Sequence, residues 1–108
     1  MIEAPYEMSN LFPESTGLPF VVWVSYRGNA RHDIRVKVSP GPKARLEKMQ
    51  SVAIRPAPHL VNGEMKPADF RKLSRWIELN RQTLIDYWEG EIDTKDLIDQ
   101  LKPLGKTK

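Results

Sequence analysis

The sequence predicts an α+β fold: an antiparallel sheet of three or four strands, with one long helix packed on one face and a short C-terminal helix. Three observations support this prediction. Between residues 18 and 61, short runs rich in β-branched and aromatic residues alternate with glycine and proline breaks, which is typical of strands. Residues 67–89 then repeat bulky apolar side chains at helical spacing. A length of 108 residues, 40% of them apolar, suits one domain with a modest core.

The strands are placed by the breaks between them. A Gly-Asn pair at 28–29 marks the first turn, a Pro-Gly-Pro run at 40–42 ends the second strand, and an Asn-Gly pair at 62–63 follows the last one. The predicted strands are 18–27, 32–39, 50–55 and 59–61, with a helical turn at 43–49. Residues 1–17 show no sustained period, so we expect an irregular arm there, a single domain at 18–102 and a flexible tail at 103–108.

Alternation along the second strand separates an apolar face from a basic one. A loop of odd length around residues 28–30 joins the apolar sides of both strands, whereas a strict two-residue loop would turn the first strand over. We predict the odd loop, because it leaves one clean apolar face for the helix. The apolar face then carries Val22, Val24, Tyr26, His32, Ile34, Val36 and Val38, and the basic face carries Val21, Trp23, Ser25, Arg27, Arg31, Asp33, Arg35 and Lys37.

The long helix is predicted to begin at Pro67, which suits a first helical turn, and to end before Gly90. Asn80 falls near the centre of its apolar stripe, where an unpaired amide would cost roughly 1–3 kcal/mol. We therefore interpret Asn80 as a structural polar anchor, bonded to backbone at a strand end or in an N-terminal loop. The alternative, an amide exposed in a functional cleft, stays open. A short second helix is predicted at 95–101, capped by Asp93 or Thr94.

Composition excludes several kinds of chemistry. The chain has no cysteine, which rules out disulfides, thiol nucleophiles and thiolate metal sites. Its two histidines, His32 and His59, lack further ligands at metal-binding spacing, and neither a nucleophile elbow nor a glycine-rich phosphate loop is present. We predict no catalytic residues, no cofactor and no metal, so enzymatic activity is disfavoured. The absence of a leader pattern and of a long apolar run favours a soluble cytoplasmic protein without membrane contact.

The net charge of +3 is unevenly distributed. Residues 17–62 carry eight basic and two acidic residues, a balance of +6. Such a sheet face could bind single-stranded nucleic acid through stacking and phosphate contacts. Alternatively, the charges are solvated guards of strand edges. The candidate residues for binding nucleic acid or a partner are Trp23, Arg27, Arg31, His32, Arg35 and Lys37.

Two motifs carry a resemblance to a known family. The helix reads W-I-x-x-N-x-x-x-L-x-x-x-W over residues 76–88, and the preceding hairpin contains His-Asp-Ile-Arg-Val at 32–36. Over roughly residues 18–89 this resembles a small bacterial family of unknown function, number four-one-six-zero of that series. The resemblance implies strands followed by a helix that ends near a Trp, and a link to toxin–antitoxin-like gene pairs. Arg35 stands where that family tends to have a second histidine, which argues against paired-histidine chemistry.

These observations lead to two functional hypotheses. The first is a small, non-enzymatic bacterial interaction module that binds an unidentified protein partner. The alternative is a nucleic-acid-binding or RNA-cleaving toxin-like domain that uses the basic sheet face. Leu79 lies opposite the centre of the apolar stripe, so we expect it to be exposed and to bear on association.

Overall fold

The computed structural model describes residues 8–40 and 49–105. Most of the helical turn predicted at 43–49 lies outside the described residues, as do the first seven residues and the last three. Within the described ranges the chain forms five strands and four helices. In chain order these are β1 (Met8–Leu11), α1 (Pro13–Thr16), β2 (Val21–Ser25), β3 (Arg35–Ser39), β4 (Gln50–Ala53), β5 (His59–Asn62), α2 (Pro67–Leu79), α3 (Arg81–Trp88) and α4 (Thr94–Gln100).

The α+β class is confirmed, but the sheet has five strands rather than three or four. The strands are antiparallel and adjacent in chain order, from β1 at one edge to β5 at the other. The additional strand, β1, lies in the segment that we expected to be irregular. It pairs along β2, with Asn10 opposite Trp23 and Leu11 opposite Val22. Its four residues have little strand pattern of their own, so pairing with the β2 edge determines their conformation.

The predicted facing of the β2–β3 hairpin is confirmed. Val22 lies opposite Val38, and Trp23 lies opposite Lys37, which is the register that an odd loop produces. The strands themselves are shorter than predicted, because β2 ends at Ser25 and β3 begins only at Arg35. The intervening residues 26–34, called the β2–β3 loop below, leave the regular alternation of the strands. This shortening affects where several of the candidate binding residues lie.

The core fills the space between one sheet face and the helices. We call the sheet face that carries Val22, Val36 and Val52 the inner face, and the opposite one the outer face. Full burial of an aliphatic or aromatic side chain contributes roughly 1.5–3 kcal/mol, so this layer is the main stabilising element. Its helical side consists of Leu73, Trp76, Ile77, Leu84, Tyr87, Trp88 and Leu97, each no more than 3% exposed.

The single long helix predicted over residues 67–89 is wrong in one respect: it is divided into α2 and α3. Asn80 separates them with φ −113° and ψ 16°, outside helical geometry. Its side-chain Nδ2 donates to the Trp76 carbonyl at 3.0 Å, and its backbone N–H donates to the same oxygen at 3.1 Å. Asparagine forms such local bonds readily in competition with a regular helix, which accounts for the break. Leu84 still donates its N–H to the Asn80 carbonyl, so α3 follows directly.

Asn80 is also the attachment point of the chain after α4. The residue is 2% exposed. Its Nδ2 donates to the Lys102 carbonyl at 2.9 Å, and its Oδ1 accepts from the Lys102 N–H at 2.7 Å. We had expected a backbone partner at a strand end or in an N-terminal loop. The partner is instead the C-terminal segment, residues 101–105, which the sequence pattern did not connect with the helix.

The C-terminal segment has a second tether at α1. Leu104 donates its N–H to the Thr16 carbonyl at 2.7 Å. Gly17, which follows α1 with φ +78°, lies so close that an added Cβ would be 2.4 Å from the Leu104 carbonyl oxygen. Both the positive φ and the close approach require glycine there. Residues 103–105 of the predicted tail are thus held against the N-terminal part of the domain.

We predict that Asn80→Leu destabilises the protein by about 1–3 kcal/mol, because it removes the part-buried hydrogen bonds to the Lys102 N–H and carbonyl that hold the C-terminal segment. Urea unfolding followed by tryptophan fluorescence measures the effect. Gln100→Leu is the control, since Gln100 is exposed on α4 and such surface substitutions usually stay within about 0.5 kcal/mol. Equal stability of the two variants would contradict an anchoring role.

Candidate interaction surfaces

The six candidate binding residues do not form one surface. Arg27, Arg31 and His32 lie on the β2–β3 loop and are exposed. Trp23, Arg35 and Lys37 lie on the strands, and all three are partly buried. The basic residues predicted to share one sheet face are therefore divided between a loop and two strands, because alternation ends where the strands end.

The β2–β3 loop is held against the end of α3. Arg27 donates its N–H to the Trp88 carbonyl at 2.9 Å, and Ala30 donates to the Arg27 carbonyl at 2.8 Å. These bonds define the backbone of the loop near Arg27. The guanidinium groups of Arg27 and Arg31 form no ion pair with the residues that the structure describes. The loop therefore presents two cationic side chains to solvent.

His32 is exposed rather than part of the apolar face on which parity placed it. The strand starts three residues later, so strand alternation does not govern the direction of its ring. The ring stacks on Trp88 with centroids 5.7 Å apart, and its Nδ1 lies 2.7 Å from the Asp33 carbonyl oxygen. Because a carbonyl only accepts, Nδ1 carries the hydrogen in this bond.

An ion pair joins the β2–β3 loop to the end of β4. Arg55 donates from Nε and from one terminal nitrogen to the two carboxylate oxygens of Asp33, each at 2.8 Å. Glu89 lies 3.5 Å from the same guanidinium. The hydrogen bonds from Arg55, followed by one from the Ile34 backbone, lower the pKa of Asp33 from 3.8 to about 2. The Asp33 hydrogen bond is also the main cause of a raised Arg55 pKa.

On the outer face, polar side chains line up across all five strands. The row runs Asn10, Trp23, Lys37, Ser51 and Asn62 in register. Within it, Lys37 donates from Nζ to Ser51 Oγ at 3.3 Å. Two residues after Lys37 along β3, the Ser39 hydroxyl accepts a hydrogen bond from Trp23 Nε1 at 2.8 Å. These contacts connect the row along the sheet.

The outer face is not fully open to solvent. Val21 and Ser39 are buried, at 2% and 0% exposure, although they share this face with Trp23. Arg35 has a buried Nε without a hydrogen-bond partner among the described residues. Burial lowers the pKa of Lys37 from its ordinary 10.5, and the charge of Arg35 lowers it further. The sequence predicted a basic face that is open to solvent or to a ligand. Its cations Arg35 and Lys37 are instead partly buried.

The most exposed apolar part of the sheet is β5. All four of its residues are exposed, with Leu60 at 39% and Val61 at 46%. Among the described strands β5 pairs only with β4, and the register jumps from Ser51 opposite Asn62 to Val52 opposite Leu60. Val61 is thus the extra residue of a β-bulge. The sequence predicted a short fourth strand at 59–61, but its position as an exposed edge follows from the sheet order.

Neither histidine belongs to a metal centre in the described part of the chain, where no group of three histidine or acidic residues could hold an ion. His59, on β5, is exposed, and its Nδ1 donates to the Ala57 carbonyl at 2.8 Å. No helix within residues 8–40 and 49–105 has the length and apolar character needed to cross a membrane.

Comparison with protein-family models, with curated proteins and with solved structures gave no match.

We predict that Asp33→Asn removes part of the acid sensitivity of the fold. Above pH 3.8 Asp33 is ionised in both states and its contribution is complete; between 3.8 and about 2 the unfolded chain takes up the proton first, so stability falls as the pH falls. At pH 7 the substitution should cost less than about 1 kcal/mol, because the pair is half exposed and screened. Urea unfolding at several pH values measures both effects.

The control for this experiment is Asp99→Asn, which breaks the exposed Lys95–Asp99 ion pair on α4. An acid transition that is unchanged in Asp33→Asn, or changed equally in both variants, would contradict a specific contribution from the Asp33–Arg55 pair.

Proposed function

We propose that this protein is a small, non-enzymatic interaction module whose β5 edge accepts an extended segment of a protein partner. The observation that carries the proposal is the exposure of every residue of β5 at the edge of the sheet, including Leu60 and Val61. An unpaired strand edge offers main-chain donors and acceptors to an added strand.

The β-bulge supports selective rather than indiscriminate pairing. Edge bulges interrupt the regular ladder and hinder chains that need a long flat edge. The bulge at Val61 leaves only a short edge, so a partner must match its local geometry. Affinity would come from main-chain bonds, and specificity from the side chains on either side of the added strand.

The two sides of β5 define the chemistry of the partner segment. Leu60 lies opposite Val52, on the inner side of the sheet, whereas Asn62 continues the outer-face row that contains Lys37. Alternate residues of an added strand face opposite sides. The segment that fits best therefore alternates apolar residues, packed beside Leu60, with polar residues on the side of Asn62.

The cellular setting belongs to the same proposal. In this proposal the module acts in the bacterial cytoplasm and resembles family four-one-six-zero, which has a link to toxin–antitoxin-like gene pairs.

We predict that ten-residue peptides alternating apolar and polar residues, selected from a displayed library on the full-length protein, protect the amides of residues 59–62 from hydrogen exchange. A double variant, Leu60→Lys with Val61→Lys, should bind the selected peptides at least about tenfold more weakly, because charge replaces the apolar contact. The measurements are hydrogen-exchange mass spectrometry and titration calorimetry.

The matched control is Leu79→Lys with Ile98→Lys, which places the same charges on apolar side chains of α2 and α4 that are 45% and 50% exposed. Equal loss of affinity in both double variants, protection confined to other elements, or failure to enrich any peptide would refute the β5 proposal.

The second candidate function is binding of single-stranded nucleic acid at the β2–β3 loop. It is favoured by the two exposed guanidinium groups of Arg27 and Arg31 beside the His32 ring on Trp88. RNA cleavage is the less favoured form of this candidate, because His59 lies on β5 and the loop that carries His32 has no second histidine.

If this candidate holds, Arg27→Gln with Arg31→Gln should weaken binding of a single-stranded RNA oligonucleotide and reduce the slope of log affinity against log salt by about 1.4, since each lost phosphate contact removes about 0.7. Fluorescence anisotropy at several salt concentrations measures the slope. Lys66→Gln with Arg71→Gln, on exposed residues near the start of α2, removes the same charge elsewhere. An equal change in both variants, or no binding at low salt, would exclude the loop as the site.

A further inference from the structure

A cleft of about 300 Å³ lies between α2 and the C-terminal segment, apart from β5 and from the β2–β3 loop. It is lined by Gly17 after α1, Lys72 and Arg75 on α2, and Leu104 and Gly105 of the C-terminal segment. Its size is at the lower end of the range for small-molecule sites, about 300–1,000 Å³. The lining combines backbone from two glycines with two cationic side chains.

The two cations of the cleft form no ion pair with another described residue. Lys72 and Arg75 are exposed, and the three ion pairs within residues 8–40 and 49–105 involve neither of them. They are three positions apart on one helix, so their Cβ atoms are about 5–6 Å from each other and their like charges repel. An anion bound between the two side chains would remove this repulsion.

The wall opposite α2 is fixed by contacts already described. Lys102 is held by Asn80, and Leu104 is held by the Thr16 carbonyl. The close approach of Gly17 to Leu104 brings the two backbone segments together on one side of the cleft. Because these tethers are intramolecular, the cleft exists before a ligand arrives, which lowers the entropy cost of binding. Gly105 lines the cleft, and its N–H makes no hydrogen bond with any residue in the described ranges.

This donor set fits a phosphate group better than a single carboxylate. The Arg75 guanidinium alone can bind a carboxylate through two parallel hydrogen bonds. The cleft adds the ammonium of Lys72, a compact point charge suited to a second oxygen of a dianion. We propose that this cleft binds the phosphate group of a small phosphorylated molecule, held by Lys72 and Arg75 against the backbone of Gly105. The remaining volume accommodates the organic part of a phosphomonoester.

The experiment is a titration of the ¹⁵N-labelled full-length protein with inorganic phosphate, glycerol 1-phosphate and acetate at constant ionic strength, followed by NMR. We expect saturable shifts of the Gly17, Leu104 and Gly105 amides with both phosphates and none with acetate. Tighter binding of glycerol 1-phosphate would identify an organic phosphate as the ligand, and equal binding would identify the phosphate group alone as the determinant. Either result supports the site.

Lys72→Gln with Arg75→Gln should weaken phosphate binding at least about tenfold, because both charge-assisted contacts are lost. Lys66→Gln with Lys95→Gln is the matched control, since it removes the same charge from exposed residues at the start of α2 and on α4, outside the cleft lining; its affinity should stay within about twofold. An equal loss in both variants, an equal response to acetate, or shifts spread over all basic regions would overturn the proposal.

Discussion

The reciprocal hydrogen bonding between the Asn80 amide and the Lys102 backbone connects most of this structure. One side chain forms two hydrogen bonds with the backbone of a single residue, Lys102, and a third with the preceding helical turn. The Asn80 amide is buried, so it would be costly without these partners. The break between α2 and α3, the course of the C-terminal segment and one wall of the cleft all depend on this arrangement.

The sheet imposes the second constraint, because one of its faces must be buried away from water. Val22 and Val38 lie opposite each other on the inner face, and a shift of the register by one residue would turn one strand over. The same register places Trp23 beside Lys37 on the outer face. Partial burial there has an electrostatic cost, visible in the lowered pKa of Lys37. The outer face is therefore a poorer site for a polyanion than its sequence of basic residues indicates.

The surfaces that we consider for binding are physically different. The β5 edge offers main-chain hydrogen bonding beside apolar side chains. The β2–β3 loop offers exposed guanidinium groups, and the cleft offers two neighbouring cations, Lys72 and Arg75, near a fixed backbone. Ion pairing separates these roles further, because Arg55 is occupied by Asp33 and Glu89 whereas Arg27, Arg31, Lys72 and Arg75 have no such partners in the described structure. Charge alone would not have distinguished these arginines.

Local sequence determined the α+β class, the facing of the β2–β3 hairpin, the start of α2 at Pro67 and the unusual status of Asn80. These features follow from side-chain periodicity, from proline and from the cost of burying an amide, all of which act over a few neighbouring residues. Tertiary structure decided the rest. β1 is a strand because β2 offers it an edge, and His32 is exposed because β3 starts only at Arg35.

The partner of Asn80 and the lining of the cleft lie beyond local patterns for the same reason. Lys102 is 22 residues from Asn80, and Gly105 is far along the chain from Gly17. No periodicity relates such positions, since only the packing of α4 against the rest of the domain brings them together. The sequence by itself identified a buried amide that required partners, and the folded chain decided that its C-terminal backbone would supply them.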